Sequence, residues 1–206
     1  MLFFLLFLVS CSLGFVLFHR VCLDNTGACA QCEFKTSVII PARNEEQNLP
    51  NLLNSLMIQT CQPYEIIVVD DFSSDATGEI ARSFGVKVIP NSELPEGWTG
   101  KTWAVHNGFL QSSGDMLVFL DADICLAPGA LAALLQTRQR CTGAISVVPY
   151  HFTEKFYERF SLLPYLLGVF AFTSPFEHKN RRKGLYGSCI VTSREDYLKI
   201  NGHESV

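Results

Sequence analysis

The chain has 206 residues, a formal net charge of −4, 48% hydrophobic residues and only 17% charged residues. This length is enough for one domain with a substantial buried core, and the composition excludes an intrinsically disordered chain. The slight acidic excess offers no basic surface to a phosphate backbone, so nucleic acid is excluded as the main partner.

Residues 1–18 contain no charged side chain and are followed by His19 and Arg20. This apolar length is about the minimum that crosses a bilayer as a helix, so the segment predicts an N-terminal transmembrane helix. Because the first positive charge follows that helix, the positive-inside tendency puts the rest of the chain in the cytoplasm. A lipoprotein processing site at Cys11 is the less favoured alternative, since the chain lacks a basic start. We expect a transmembrane helix at 1–18, a linker at 19–35 and one folded domain at 36–206.

Short apolar runs typical of buried strands then alternate with segments of helical periodicity. The predicted strands are 37–40, 65–69, 86–89 and 116–120, and the predicted helices between them are 49–57, 74–84 and 102–111. Such alternation is typical of the α/β class with a doubly wound, mostly parallel sheet. In open sheets of this kind, ligands bind in the crevice beyond the carboxyl ends of the strands.

Polar residues follow the first two predicted strands at that edge. Pro41–Glu45 follow the first strand, and Asp71 comes just past the second. A carboxylate in the position of Asp71, beyond an all-apolar strand, needs a partner, and the N–H of a nucleobase would supply one. Ser73, Ser74 or Asp75 is interpreted as a cap of the next helix.

The segment Pro95–Thr102 nearly matches a phosphate-binding P-loop, and Asp121 could serve as the acid that follows such a loop. Pro95 occupies a position that requires glycine, however, and only about one helix separates the segment from Asp121. A P-loop-like protein that binds or hydrolyses nucleotides is therefore the less favoured alternative.

Two carboxylates, Asp121 and Asp123, directly follow the apolar run Leu117–Leu120. Oxygen ligands at this spacing are typical of a site for a hard divalent cation such as Mg²⁺ or Mn²⁺, with open positions that a nucleotide diphosphate can fill. The alternative is that both acids are solvated or cap a helix that begins near Pro128.

Three of these segments, in this order and spacing, resemble the family 2 glycosyltransferases, which have the A-type nucleotide-sugar fold. They are Val38–Glu45, Val68–Thr77 and Asp121–Asp123, and the resemblance covers about residues 36–204. The segment Gly97–Lys101 is similar to the membrane-associated branch that glycosylates lipids, including carotenoid-type and ceramide-type acceptors.

The resemblance implies an enzyme that transfers a sugar from a nucleotide-diphosphate sugar, with a UDP-sugar favoured, to a lipid or other membrane-proximal acceptor. It also implies a divalent cation, Mg²⁺ or Mn²⁺, and inversion of the anomeric centre by a carboxylate base. The residues expected to bind the donor are Pro41, Ala42, Glu45, Asp71, Lys101 and Asp121, and those expected to bind the metal are Asp123 and Asp121. Asp71 would accept from the base, and Lys101 would lie near the donor phosphates.

An apolar run at Phe160–Phe172 precedes a basic run at His178–Lys183. We interpret the pair as an interfacial element that admits a lipid acceptor and contacts anionic headgroups. A buried core helix followed by a solvated loop is the alternative.

The segment Gly202–Glu204 resembles the family segment that precedes a Glu-Asp pair carrying the general base. The base is therefore expected beyond Val206, and Asp196 and Glu204 are the second-choice candidates within the chain. We expect a C-terminally truncated member that binds donor and metal and transfers the sugar very slowly.

Overall fold

The computed structural model describes residues 34–149 and 185–205, with side chains described up to residue 204. The predicted transmembrane helix at 1–18, nearly all of the predicted linker at 19–35, and both runs between Phe160 and Lys183 lie outside these ranges. Within the ranges, no helix combines the length and the apolar character that crossing a bilayer requires.

The described residues form one unit in which strands and helices alternate as far as β4. In chain order the elements are β1 Thr36–Ala42, α1 Leu49–Met57, β2 Glu65–Asp70, α2 Thr77–Ser83, β3 Lys87–Pro90, α3 Gly100–Leu110, β4 Met116–Leu120, α4 Ala130–Arg140, β5 Ile145–Ser146, β6 Cys189–Ser193, α5 Arg194–Lys199 and a 3-10 helix at Gly202–Ser205.

The strands form a mixed sheet in the order β3-β2-β1-β4-β6-β5. β1 pairs in parallel with β2 and with β4, and β2 pairs in parallel with β3. β6 runs antiparallel to both of its neighbours, β4 and β5. The expected α/β sheet is therefore confirmed in its parallel half, and β5 and β6 add an antiparallel edge that was not predicted.

The central strands are buried on both faces, because consecutive residues of β1 such as Val38, Ile39 and Ile40 have no exposed surface. On one face, side chains of the strands pack against α3 and α5; this cluster comprises Ile39, Ile67, Val69, Ala104, Val105, Phe109, Leu117, Phe119 and Tyr197. Burial on both faces explains why these strands appear in the sequence as continuous apolar runs without alternation.

A group of hydrogen bonds joins the starts of β1, β2 and β4. Glu65 Oε1 accepts from the Ser37 hydroxyl at 2.6 Å and from the Ser113 backbone N–H at 2.6 Å. Ser37 Oγ accepts in turn from the Gly114 N–H at 2.8 Å. A Cβ atom at Gly114 would lie 2.5 Å from Ser37 Oγ and 2.7 Å from the Lys35 carbonyl oxygen, so this approach requires glycine. Burial alone would raise the pKa of Glu65, but the hydrogen bonds lower it overall.

We predict that Ser37→Ala lowers the free energy of unfolding by about 1–3 kcal/mol, because it leaves the buried Gly114 N–H without an acceptor. Part of the loss depends on pH. The lowered pKa of Glu65 stabilises the folded state above the unfolded-state pKa, and this contribution disappears as the pH falls through the folded-state pKa. Urea unfolding at neutral pH and in acid should show a smaller difference between variant and parent in acid.

Ser83→Ala is the matched control, because Ser83 is exposed on α2 and its hydroxyl donates to the Ile80 carbonyl at 2.7 Å. This control should change the free energy of unfolding by less than about 0.5 kcal/mol. Equal destabilisation by the two variants would show that the hydrogen bonds of Ser37 do not hold the strand ends together.

Candidate active site

A cavity of about 520 Å³ opens at the carboxyl ends of β1, β2 and β4, beside the N-terminus of α3. Its lining residues are Pro41, Ala42, Arg43, Glu45, Asp71, Gly100, Lys101, Asp121, Ala122 and Asp123. All of the residues expected from the sequence to bind donor or metal are in this set. The structure adds Arg43, Gly100 and Ala122 to them.

The loops that follow β1 and β2 are held together by reciprocal hydrogen bonds. The Asn44 N–H donates to Ser73 Oγ at 3.0 Å, and the Ser74 N–H donates back to Asn44 Oδ1 at 2.8 Å. Asn44 adopts the left-handed conformation with φ 57°, which asparagine tolerates better than most residues. These contacts fix the two loops as one wall of the cavity.

The interpretation of Ser73 and Ser74 as helix caps is wrong, and that of Asp75 is incomplete. α2 begins at Thr77 with Ala76 as its N-cap, without a side-chain capping hydrogen bond. Asp75 Oδ1 accepts from the Thr77 N–H at 3.0 Å, while Asp75 Oδ2 accepts from the Glu46 N–H at 3.2 Å, across the loops. The Thr77 hydroxyl also donates to Asp75 and lowers the pKa of its carboxyl. Loop pairing, more than helix capping, explains these polar residues.

Glu45 lines the cavity but directs its carboxylate toward the start of α1. Glu45 Oε2 accepts from Asn48 Nδ2 at 2.8 Å, and the Glu45 carbonyl oxygen accepts from the Leu49 N–H at 2.9 Å. Its own N–H donates to Thr77 Oγ1 at 2.8 Å. Glu45 therefore holds the entry to α1, which leaves its backbone and stem as the cavity wall.

Asp71 is buried, with 8% of its surface exposed. Its Oδ1 accepts from Asn91 Nδ2 at 2.6 Å, and its Oδ2 lies 3.9 Å from Arg43 Nη1. The sequence predicts that this carboxylate needs a partner, and the protein itself partly supplies one. Asn91 was missed because it follows β3, an edge strand whose end was not considered a source of site residues.

Gly100 brings the first turn of α3 against Asp71. A Cβ atom at this position would lie 3.1 Å from Asp71 Oδ2, which is tighter than an ordinary contact. The glycine therefore keeps space beside the one carboxylate oxygen that Asn91 leaves open. Its position in the run Gly97–Lys101 was the sequence signal that could have identified it.

Lys101 and Asp121 form an ion pair across the cavity, with Nζ 2.6 Å from Oδ1. The lysine side chain is 55% exposed and the aspartate side chain 23% exposed, so the pair lies at the cavity mouth. Burial, together with the charge of Asp121, raises the pKa of the nearby Cys189 thiol to about 11. That thiol stays protonated at neutral pH and is excluded as a nucleophile.

The geometry of this segment does not favour the P-loop alternative. β3 ends at Pro90, and α3 begins only at Gly100, so no strand feeds directly into a phosphate loop at the start of the helix.

Asp123 is exposed within the cavity, and no hydrogen bond or ion pair engages its carboxylate among the described residues. Neither Asp121 nor Asp123 caps a helix, since α4 begins at Ala130 with Gly129 as its N-cap and has no side-chain cap. The two acids present only oxygen donors, which suits a hard cation. Residues 34–149 and 185–205 contain no group of three or more His, Cys, Asp or Glu side chains able to hold a metal.

Neither second-choice base lines the cavity. Asp196 is ion-paired with Arg138 and lies 3.4 Å from Lys199 Nζ. Its hydrogen bond with Ser193 and these positive charges lower the pKa of its carboxyl. Glu204 lies on the 3-10 helix, 58% exposed, with Oε1 3.6 Å from His106 Nε2.

The sequence pattern of the family described as "Glycosyl transferase family 2" matches residues 37–200. A 4,4'-diaponeurosporenoate glycosyltransferase of Staphylococcus haemolyticus (strain JCSC1435) is 41% identical over 177 residues, covering 82% of this chain and 47% of the relative. The protein of the same name from Staphylococcus aureus (strain USA300) is 35% identical over 175 residues, covering 82% of this chain and 46% of the relative. The chain thus spans about half the length of these curated relatives.

Solved structures share the fold at lower identity. A Pyrobaculum calidifontis mannosyltransferase in complex with GDP-Man and Mn²⁺ matches with TM-score 0.56 and 20% identity, over 89% of this chain and 50% of that one. The Mycobacterium tuberculosis glucosyl-3-phosphoglycerate synthase in complex with Mn²⁺, UDP and phosphoglyceric acid matches with TM-score 0.58 and 23% identity, over 87% and 63%. The resemblance seen in the sequence is confirmed, and the chain belongs to glycosyl transferase family 2.

Proposed function

We propose that this protein transfers a sugar from a UDP-sugar to a lipid acceptor of the carotenoid type, with the help of a divalent cation and with inversion at the anomeric carbon. One observation carries the proposal: Asp71, Lys101, Asp121 and Asp123 line a single cavity at the carboxyl ends of three parallel-paired strands. That is the position at which open α/β sheets bind nucleotides.

Asp71 is proposed to bind the nucleobase. It is a buried acceptor at the inner end of the cavity, and a carboxylate can accept from the N–H of a base. Burial strengthens such a hydrogen bond, because the local dielectric is low. Pro41 and Ala42 supply the apolar wall against which the nucleoside would pack.

The outer end of the cavity is proposed to bind the diphosphate. Asp123 would hold Mg²⁺ or Mn²⁺, and donor phosphate oxygens with water would complete the coordination, as is usual for Mg²⁺ sites with one or two carboxylates. A bound cation supplies Lewis-acid stabilisation of the departing diphosphate. Lys101, which is ion-paired with Asp121, would lie next to the same phosphate oxygens and share its charge between them and Asp121. Asp121 is then left to orient Lys101 or to join the metal ligands.

The acceptor and the location are proposed from the relatives and from the sequence. Both named relatives are diaponeurosporenoate glycosyltransferases, whose acceptor name denotes an apolar carotenoid acid. An uncharged segment at 1–18, joined by a linker at 19–35 to a catalytic domain from residue 36, would hold the cavity at the cytoplasmic face of the membrane. The apolar run Phe160–Phe172 would admit the lipid.

Asp123→Ala should weaken Mn²⁺-dependent binding of UDP-sugar by about 10-fold to 100-fold or more, since loss of even an indirect metal contact has that effect. The fold should be unchanged, because Asp123 is exposed. Calorimetry with UDP-sugars and with ATP, each with and without Mn²⁺, measures this and tests the proposed function directly.

The matched control is Asp115→Ala, an exposed acid at the opposite end of β4, which should bind as the parent does. Retention of Mn²⁺-dependent binding by the Asp123 variant would refute the metal assignment. Preference of the parent for ATP over every UDP-sugar would refute the proposed reaction.

Asp71→Ala should weaken the binding of UDP and of free uridine by a similar factor, about tenfold or more, because the lost acceptor contacts the base. Binding of Mn²⁺-pyrophosphate should stay at the parent level. Competition calorimetry with the three ligands measures both effects. If pyrophosphate binding fell while uridine binding did not, Asp71 would belong to the diphosphate end of the cavity.

In sealed, right-side-out cells, sites after Arg20 should be protected from added protease, as a cytoplasmic catalytic domain requires. Immunoblotting for a C-terminal tag reads the result, and detergent-permeabilised cells are the control in which cleavage must occur. Cleavage of intact cells from outside would reverse the proposed orientation.

A further inference from the structure

A chain of hydrogen bonds runs from α3 through the segment after β3 to Asp71. Asn107 Nδ2 donates to Asn91 Oδ1 at 2.6 Å and also to Ser92 Oγ at 3.0 Å. Asn91 Nδ2 then donates to Asp71 Oδ1 at 2.6 Å. Asn107 is half-buried and Asn91 is 7% exposed, so the chain is shielded from water along most of its length.

The direction of this chain of hydrogen bonds is determined by Asp71. Asp71, when ionised, can only accept, so Asn91 must present its NH₂ group to it and its oxygen to Asn107. At the other end, Ser92 Oγ accepts from both Asn107 Nδ2 and Trp103 Nε1, the latter at 3.1 Å. Reversal of either amide would bring two oxygens face to face in a buried place, which is costly.

These hydrogen bonds give the two carboxylate oxygens of Asp71 different surroundings. Oδ1 is engaged by Asn91, whereas Oδ2 faces the space that Gly100 keeps open, with Arg43 Nη1 at 3.9 Å. A ligand inside the cavity therefore meets one available carboxylate oxygen. Among the described residues, only Arg43 has a positively charged group within 4 Å of the Asp71 carboxylate.

We infer that Asn91 and Asn107 are positioning residues that make Asp71 a single-oxygen acceptor, selective for a nucleobase edge with one N–H donor. The imide edge of uracil has one N–H between two carbonyl oxygens and fits this acceptor. The edge of guanine has two adjacent N–H donors and pairs best with both oxygens of a carboxylate. The inference rests on the proposed function and specifies how the same cavity selects its donor.

Asn107→Asp tests the inference with a change of nearly constant size. The introduced carboxylate can only accept, so it competes with Asp71 for the NH₂ group of Asn91 and weakens the hydrogen bond that positions Asp71. UDP affinity should fall by about 10-fold to 100-fold, as expected when a hydrogen bond to a charged group is lost. Affinity for Mn²⁺-pyrophosphate, measured in the same calorimeter, should remain that of the parent. Asn54→Asp, the same change at an exposed position of α1, is the control and should bind both ligands normally.

Asn91→Asp provides a second readout that a merely structural residue would not give. It puts a carboxylate within hydrogen-bonding distance of Asp71, and such a pair holds one shared proton more tightly than either acid alone. When the introduced acid is protonated, its O–H would donate to Asp71 as the native amide does. UDP affinity of this variant, divided by that of the parent at each pH, should therefore rise as the pH falls from about 8 to about 6.

The outcomes separate the inference from the proposed function. If the parent binds UDP and Asn107→Asp binds it equally well, or loses UDP and pyrophosphate to the same extent, the positioning role is overturned and the proposed function stands. If the parent binds no nucleoside diphosphate at all, the proposed function fails and the inference fails with it. A parent preference for GDP over UDP overturns the selectivity while leaving sugar transfer intact.

Discussion

Parallel pairing of β1 with both β2 and β4 is the constraint on which the cavity depends. It brings the carboxyl ends of three buried strands to one edge, with Ala42 opposite Asp70 and Ile39 opposite Phe119. The strand pairing alone therefore brings the residues just beyond those ends close together. A slip of one residue in either pairing would move the side chains of the slipped strand to the other covered face and disturb their packing there. The hydrogen bonds around Glu65, at the far ends of the same strands, oppose that slip.

The acids of the cavity differ in their partners. Asp71 is buried and receives a hydrogen bond from Asn91, and half-buried Asp121 is neutralised by Lys101. Asp123 alone among these acids is exposed and without a polar partner in the described part of the chain. Since an isolated buried charge is costly, the partners allow negative charge to be concentrated at one edge. The arrangement leaves one carboxylate available to a cation without destabilising the fold.

The sequence predicted the structure correctly where a continuous apolar run ends in polar residues, because such a run is typical of a strand buried on both faces. This pattern predicted β1, β2 and β4 and the residues just past them. It failed for β5 and β6, because the two residues Ile145–Ser146 carry no periodicity and Cys189–Ser193 lies far along the chain from its partner β4. Asn91 was missed for another reason: an asparagine after a short edge strand resembles an ordinary turn residue, and only the packing of α3 gives it a role.

The helix α3 joins the two ends of the cavity. Its first turn supplies Gly100, beside Asp71, and Lys101, paired with Asp121, while Asn107, further along, holds the amide that orients Asp71. A shift of this helix along the sheet would therefore disturb the proposed base contact at Asp71 and the proposed diphosphate contact at Lys101 together. The helix is seated by Ala104 and Phe109 in the apolar core, so the hydrophobic packing of one face fixes the polar geometry of its N-terminal end. The proposed donor site therefore depends on the packing of α3 against the sheet.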